Sequence, residues 1–237
     1  RSWQVHDIGP LHSTHRMRFA YVLGSGRPQR VVSPLAAPQG AAGVALTVFS
    51  VPADPRRDRW PVTVLDATLN RMHNHAHADV DGDGRIDTLT ASREGVSLLR
   101  RQGDGFTRAS LAEGISGPAP DSSGSGEVKA GTLASGREFI VTVEPMHGTA
   151  VAVYHPSADG PAAPWRRTVI DEGYARGHAL ATVDLDGDGG DEIVFGSSDA
   201  SAVEGHGPTL AVYRANADGS AWTREVLDAG GVAVEDL

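Results

Sequence analysis

The sequence predicts an all-β protein, a β-propeller of four-stranded blades, and three observations predict it. A composite unit, W-x5-D-x6-H-x5-D-x-D-G-D-G-x-x-(D/E), occurs twice, from Trp60 to Asp87 and from Trp165 to Glu192. The aromatic markers Trp3, Trp60, Phe106, Trp165 and Trp222 recur at roughly 46–59 residues, a spacing that suits one four-stranded blade. Between the markers lie apolar-alternating runs at 44–49, 96–99, 150–154 and 209–213, set apart by clusters of Gly, Pro, Ser and Asp. Alternation of period two bounded by such clusters is the pattern of strands and turns, and no segment carries a helical period.

Taken in order, four inner-to-outer strand units fit between Thr14 and Gly231. A lone outer strand carrying Trp3 is expected before them. After them, Trp222–Asp228 starts another copy of the unit, placing Glu235 in the column of His73 and His178 at the start of a further inner strand. The expectation is therefore one domain, 1–237, incomplete at both ends. A closed ring of four blades is the other arrangement the strand count permits.

Two loops carry the most specific chemistry. Asp79, Asp81, Asp83 and Asp87 stand at positions 1, 3, 5 and 9 of the first, and Asp184, Asp186, Asp188 and Glu192 at the same positions of the second. Carboxylates so spaced converge on one hard cation, with the backbone carbonyl of Arg85 or Gly190 filling position 7. An EF-hand needs a bidentate Glu at position 12, where these loops have Thr90 and Phe195. They are expected to be calcium loops joining two strands.

On these residues the chain resembles the FG-GAP/VCBS-type β-propellers, in which D-x-D-G-D-G loops between strands of a blade bind calcium. The resemblance runs over essentially the whole chain and implies a larger, seven-or-so-bladed ring. The first and third blades depart from it: Tyr21–Arg27 and Thr132–Arg137 keep the turn but lack the carboxylates.

Composition fits this fold class. A hydrophobic fraction of 40% over 237 residues can bury a sizeable core, and 29 glycines with 14 prolines supply many turns. No apolar run approaches the roughly 20 residues of a membrane span, so no membrane insertion is expected. The net charge of −9, with no basic stripe, argues against nucleic acid. The absence of cysteine excludes disulfides and thiolate chemistry. No signal-peptide pattern is expected at the N-terminus; the leaning is to an extracellular setting, and oligomeric state is left open. Arg fills every cationic position except Lys129, a bias read as codon usage without functional meaning.

Catalytic chemistry is expected among the histidines. The loop from the outer strand of one blade to the inner strand of the next opens at the mouth of the central channel. That register holds His15, His73, the Gly126–Glu127 pair, His178 and Glu235. Converging imidazoles and carboxylates serve a metal site or general acid–base chemistry. The competing explanation is that each His caps its turn by bonding the preceding Asp of the repeat, Asp66 or Asp171. His75 and His77 extend the second blade's set, since residues i and i+2 share one strand face, giving His73, His75 and His77 as ligands for zinc or another divalent metal; packing between blades is the alternative. In the third blade, Glu144-Pro145-Met146-His147-Gly148 replaces an ordinary turn and offers a carboxylate and an imidazole on the same predicted face. Arg16, Arg18 and Arg93 are candidates to hold an anionic group, while His12 and His206 read as loop residues.

The register histidines, the E-P-M-H-G turn and the Gly177-His-Ala-Leu180 segment are similar to the propeller domain of aldos-2-ulose dehydratase-type enzymes. That resemblance implies a carbohydrate-directed lyase that eliminates water β to a carbonyl of a keto-sugar or uronate, with bound divalent metals. His147 or His178 is cast as base, His73, His75 and His77 as metal or enolate stabilisers, and Glu144 as orienting group or ligand. No counterpart of the dehydratase's second domain is expected within residues 1–237. A non-catalytic propeller that binds carbohydrate or protein, with calcium only stiffening the blades, is the alternative.

Overall fold

The computed structural model describes residues 2–117, 122–158 and 164–237. Sixteen strands form four antiparallel four-stranded sheets arranged as the blades of a ring. The first blade comprises β1 (Thr14–Ala20), β2 (Gln29–Pro34), β3 (Leu46–Ser50) and β4 (Val62–Asp66); the second β5 (Met72–Ala78), β6 (Asp87–Ser92), β7 (Gly95–Gln102) and β8 (Gly105–Ala112). The third comprises β9 (Glu127–Thr132), β10 (Glu138–Glu144), β11 (Ala150–His155) and β12 (Arg166–Glu172); the fourth β13 (Gly177–Val183), β14 (Glu192–Ser197), β15 (Thr209–Ala215) and β16 (Trp222–Ala229). Strand order within each sheet follows the chain, and no α-helix occurs among the described residues.

Alternation along each strand decides how the blades stack. In β10, Ile140, with Val128 of β9, faces the second blade, where it joins Leu89 and Leu98, while Phe139, Val141 and Val143 face the fourth blade beside Leu180, Ile193 and Phe195. A third core, around Leu46, Val48, Met72 and Leu99, joins the first and second blades. Each fully buried large side chain in these cores contributes roughly 1.5–3 kcal/mol relative to exposure. The aromatic markers close the cores from outside: Phe106, Trp165 and Trp222 each pack at the rim of the core shared with the preceding blade. Trp60 does the same on the outer face of the first blade, where Ile8 and Leu11 take the place of a neighbour. That is the physical origin of the sequence period.

The N-terminal expectation is corrected. Residues 2–11 contain no strand and Trp3 is 97% exposed, because no sheet edge among the described residues receives it. The C-terminal segment also has no strand, but it docks as the start of an inner strand does. The Val234 amide donates to the Ser197 carbonyl, as the Ser125 amide donates to Ser92 two interfaces earlier.

Candidate active site

The inner strands deliver imidazoles to the axis by a repeated irregularity. In β1, β5 and β13 the register with the next strand slips at one residue, and that residue is His15, His73 and His178 respectively. A β-bulge of this kind turns the extra side chain away from the alternation of its strand. Two residues before each bulge the backbone is left-handed, at Ser13 (φ 51°), Arg71 (φ 45°) and Arg176 (φ 56°). In the third blade the same place is held by Gly126, which follows a left-handed Gly124. A Cβ on Gly126 would lie 2.9 Å from Met146 Cα and 3.1 Å from the His147 amide. The missing side chain therefore leaves room for the Pro145–Gly148 turn, and that turn supplies the third blade's imidazole, His147 (φ 53°).

The structure brings together His73, His147 and His178, whose candidate ligand nitrogens all lie within 4.8 Å of one another. His147 stacks on His178 with ring centroids 4.9 Å apart, and His15 packs edge-on against His73 at 4.8 Å. The tautomers follow from the partners. His73 Nδ1 lies 2.8 Å from the Gly126 carbonyl, which can only accept, so Nδ1 carries the proton. Its Nε2 is then a lone pair, 3.0 Å from His147 Nε2, which must donate. His178 repeats the pattern, with Nδ1 2.5 Å from the Glu235 carbonyl. Arg16 also approaches His178 Nδ1, at 3.3 Å, but two donors cannot bond each other, so this is only a close approach of charge.

Burial in the cluster, followed by the proximity of His73, lowers His15 to about 4; burial followed by His73 and His178 lowers His147 to about 4. Both are neutral at pH 7. One residue further along the inner strands lies a polar tier. Glu127 is buried, 3.3 Å from His73 Nδ1 and 3.5 Å from Arg16, and it accepts from the Asn74 amide. Burial alone would raise the Glu127 carboxyl, but the His73 hydrogen bond, Lys129 and Arg16 outweigh it and hold the carboxyl below its ordinary value. Asp236 takes the equivalent place in the C-terminal segment, 3.5 Å from Arg16.

Other expected site residues lie elsewhere. His73, His75 and His77 do not form one set, because the bulge sends His73 to the axis while His75 and His77 stay on the blade face. Their rings are 5.0 Å apart in the packing between the first and second blades. His77 Nδ1 meets Thr88 Oγ1 at 3.0 Å, while both nitrogens of His75 and Nε2 of His77 are buried without a partner. Glu144 is not brought to the cluster either. Its carboxylate lies fully buried inside the third blade, bound by Arg167 Nε at 2.9 Å and NH2 at 2.6 Å, by Thr142 at 2.8 Å, and by the Tyr154 hydroxyl. Nor do the register histidines cap their turns on the preceding aspartates. Asp66 accepts from Thr68 and faces Arg108, while Asp171 accepts from Tyr174, Tyr213 and His206. That last bond fastens His206 and its loop to the third blade. Arg18 is committed to the His75 carbonyl and Asn74 Oδ1.

Both acidic loops curl as the glycines permit, with left-handed Gly82, Gly84, Gly187 and Gly189. Asp79 accepts the amides of Asp83 and Gly84, and Asp184 those of Gly187 and Gly189. The carboxylates at positions 1, 3 and 5 of each loop lie within 4.8 Å of one another. Asp87 and Glu192 are buried at the loop ends, and each faces an arginine that also reaches position 3: Arg100 in the first loop and Arg214 in the second. The register column marks Glu127 in the sequence, whereas no motif there marks Lys129.

The architecture is thus a four-bladed β-propeller whose axis is lined by histidine at one end. The β-propeller domain of aldos-2-ulose dehydratase is the family whose description matches, over residues 1–157, and the chain belongs to that family. No curated protein matches the sequence. Among solved structures, an engineered GH43 glycoside hydrolase with endo-xylanase and exo-arabinofuranosidase activity aligns over 92% of this chain and 40% of its own, at 16% identity and a TM-score of 0.46. A bifunctional GH43-CE protein of Bacteroides eggerthii aligns over 88% of this chain and 27% of its own, at 22% identity and a TM-score of 0.44. The chain therefore spans less than half the length of either.

Proposed function

We propose that this propeller is a carbohydrate-directed lyase that eliminates water β to the carbonyl of a keto-sugar or uronate at the axial histidine cluster. The observation that carries the proposal is the convergence of His73, His147 and His178 from three separate elements, by a bulge in two blades and a turn in the third. An α-proton beside a ketone is weakly acidic, so the reaction needs a base that is neutral at working pH and an electrophile on a sugar oxygen. His147 is exposed, and with Nε2–H directed at His73 its lone pair is on Nδ1, the atom assigned to take the α-proton and return it to the departing hydroxyl.

His73 and His178 fit a divalent metal, zinc or similar, because each fixes Nδ1–H on a backbone carbonyl and turns Nε2 inward, the usual state of a ligating imidazole; an ion on the His73 Nε2 lone pair would displace the His147 Nε2–H from it. Such an ion, when bound, supplies Lewis acidity toward a sugar oxygen. Asp79, Asp81 and Asp83, and Asp184, Asp186 and Asp188, are proposed to hold calcium in a structural role, since each set would otherwise repel itself. Incubation with 2-keto-sugars or uronate oligomers should yield an enone or unsaturated uronate that absorbs in the ultraviolet. Absence of product from every such substrate would reject the reading.

One observation favours a non-catalytic carbohydrate-binding module instead. A cleft of about 470 Å³ lies on the outer face of the first blade beside Trp60, Phe49 and Arg57, and none of the axial histidines lines it. Saturable oligosaccharide binding abolished by Trp60→Ala, without turnover, would establish that reading.

A further inference from the structure

Lys129 is the chain's one lysine against 20 arginines. Arg serves equally well wherever a fixed positive charge suffices, but a guanidinium cannot lose its proton and cannot act as an amine. Where every other Lys-or-Arg position is an arginine, the one lysine is a place to look for amine chemistry. That place is the inner strand β9, two residues beyond Glu127 and on the same strand face. Lys129 is only partly exposed, and the charges acting on it come from three parts of the ring: Arg16 and Arg18 on β1, Glu127 on β9, and Asp236 in the C-terminal segment. The carboxylates that would neutralise it are already engaged, Glu127 with Arg16, His73 and Asn74, and Asp236 with Arg16. Among the described residues Lys129 has no ion pair and no side-chain hydrogen bond. The corresponding positions of the neighbouring inner strands are Ala76 and Ala181, which add little bulk.

A lysine desolvated beside other cations is the arrangement that turns an ammonium into a nucleophile. Burial first, then Arg18 and Arg16, lower its pKa to about 8, against the opposing pull of Glu127 and Asp236. We propose that Lys129 is a Schiff-base residue that takes the carbonyl carbon of a small keto- or aldo-sugar, and that its iminium is the electron sink for the elimination.

The role in elimination rests on the lyase reading above; the capture of a carbonyl compound does not. Nζ adds to the carbonyl carbon as the C–O π electrons pass to oxygen, and loss of that oxygen as water leaves the iminium. The α-carbon gives its proton to the base, and its C–H electrons form the enamine. The β-hydroxyl then departs with a proton as water, and hydrolysis of the conjugated iminium releases the enone and the free amine. One water is lost overall, and no oxidant or reductant is consumed.

The test is reductive trapping. The full chain is incubated with a 2-keto-sugar and cyanoborohydride, cleaved at arginine and mapped by mass spectrometry, with Lys129→Arg and Lys129→Met as variants. Apart from the N-terminal amine, which the same reagent also alkylates, the expected result is one sugar adduct at Lys129, none at position 129 in either variant, and enone formation reduced at least hundredfold in both. Enone formation without an adduct, and with Lys129→Arg active, overturns the proposal and leaves the lyase reading intact. An adduct without enone upholds Lys129 as a carbonyl-capturing residue and rejects its role in elimination together with the lyase reading. Neither adduct nor enone overturns both. If a variant fails to fold, the wild-type adduct still decides.

Discussion

His73 and His75 are two residues apart on one strand, yet they end in opposite situations. His73 joins His147 and His178 at the axis, with every ring nitrogen that the geometry can read either bonded to a carbonyl or aimed at another imidazole. His75 lies with His77 between two sheets, with three of the pair's four ring nitrogens buried and unpartnered. The residue type is the same, and so is the strand. What separates them is one bulge between Met72 and Asn74, which takes His73 out of the alternation that His75 and His77 obey. Residue spacing alone is thus a poor guide to which histidines share a ligand; the backbone irregularity decides.

Activity should show the largest difference between the two sets. His147→Ala and His178→Ala should each lower enone formation about a hundredfold or more, whereas the double change His75→Leu and His77→Leu should leave it within about threefold. Equal losses would erase the distinction. Elemental analysis adds a second axis: any zinc that co-purifies should be lost with His178→Ala and kept in the double leucine variant.

Chelation comes next and should not discriminate between the sets, because the acidic loops terminate the strands that carry both. At a hundredfold excess of calcium over its Kd, one site adds about 2.7 kcal/mol. Removal should therefore lower Tm by several degrees, with activity falling only in step with unfolding. A melting temperature indifferent to a chelator would rule out the calcium assignment.

Acid should weigh on both sets, because His15 and His147 at the axis are lowered to about 4 as His77 is. Burial, followed by His77 and Arg18, holds His75 well below its usual pKa, and burial followed by Arg18 lowers His77 from 6.5 to about 4. The unfolded chain takes up protons below pH 6.5 that the folded chain refuses. Stability is therefore full above 6.5 and declines as pH falls toward 4, with His77 accounting for roughly 2–3 kcal/mol. Denaturant titrations at several pH values should show this slope, and the double leucine variant should reduce it by the share of His75 and His77, leaving the share of His15 and His147. The smallest effect expected is on stability at neutral pH. Replacing unpartnered buried imidazoles by apolar groups of similar size should change it by about 1 kcal/mol or less.

Much of the fold was legible in the sequence. The four strand units anticipated between Thr14 and Gly231 are the sixteen strands from Thr14 to Ala229, because period-two alternation and the aromatic that covers each core are local features. The site was legible only where the repeat marked it, at His73, His178 and the departure around His147. Glu144 was misplaced because its partner, Arg167, comes from two strands away, and no local pattern announces that pairing. The separation of His73 from His75 depends on a left-handed Arg71 and a slipped register, neither of which residue identity encodes strongly. Lys129 was hidden in a composition figure, and only its place on β9 gives it meaning.

The central claim is that the axial imidazoles move a proton at the carbon beside a sugar carbonyl. The most direct measurement is exchange of that proton in deuterium oxide, followed by NMR on a 2-keto-sugar incubated with the full chain. The account predicts protein-dependent wash-out of the α-proton in the wild type, unaffected in the His75/His77 leucine variant and lost in His147→Ala. Wash-out that persists in His147→Ala, or that disappears in the leucine variant, would contradict it.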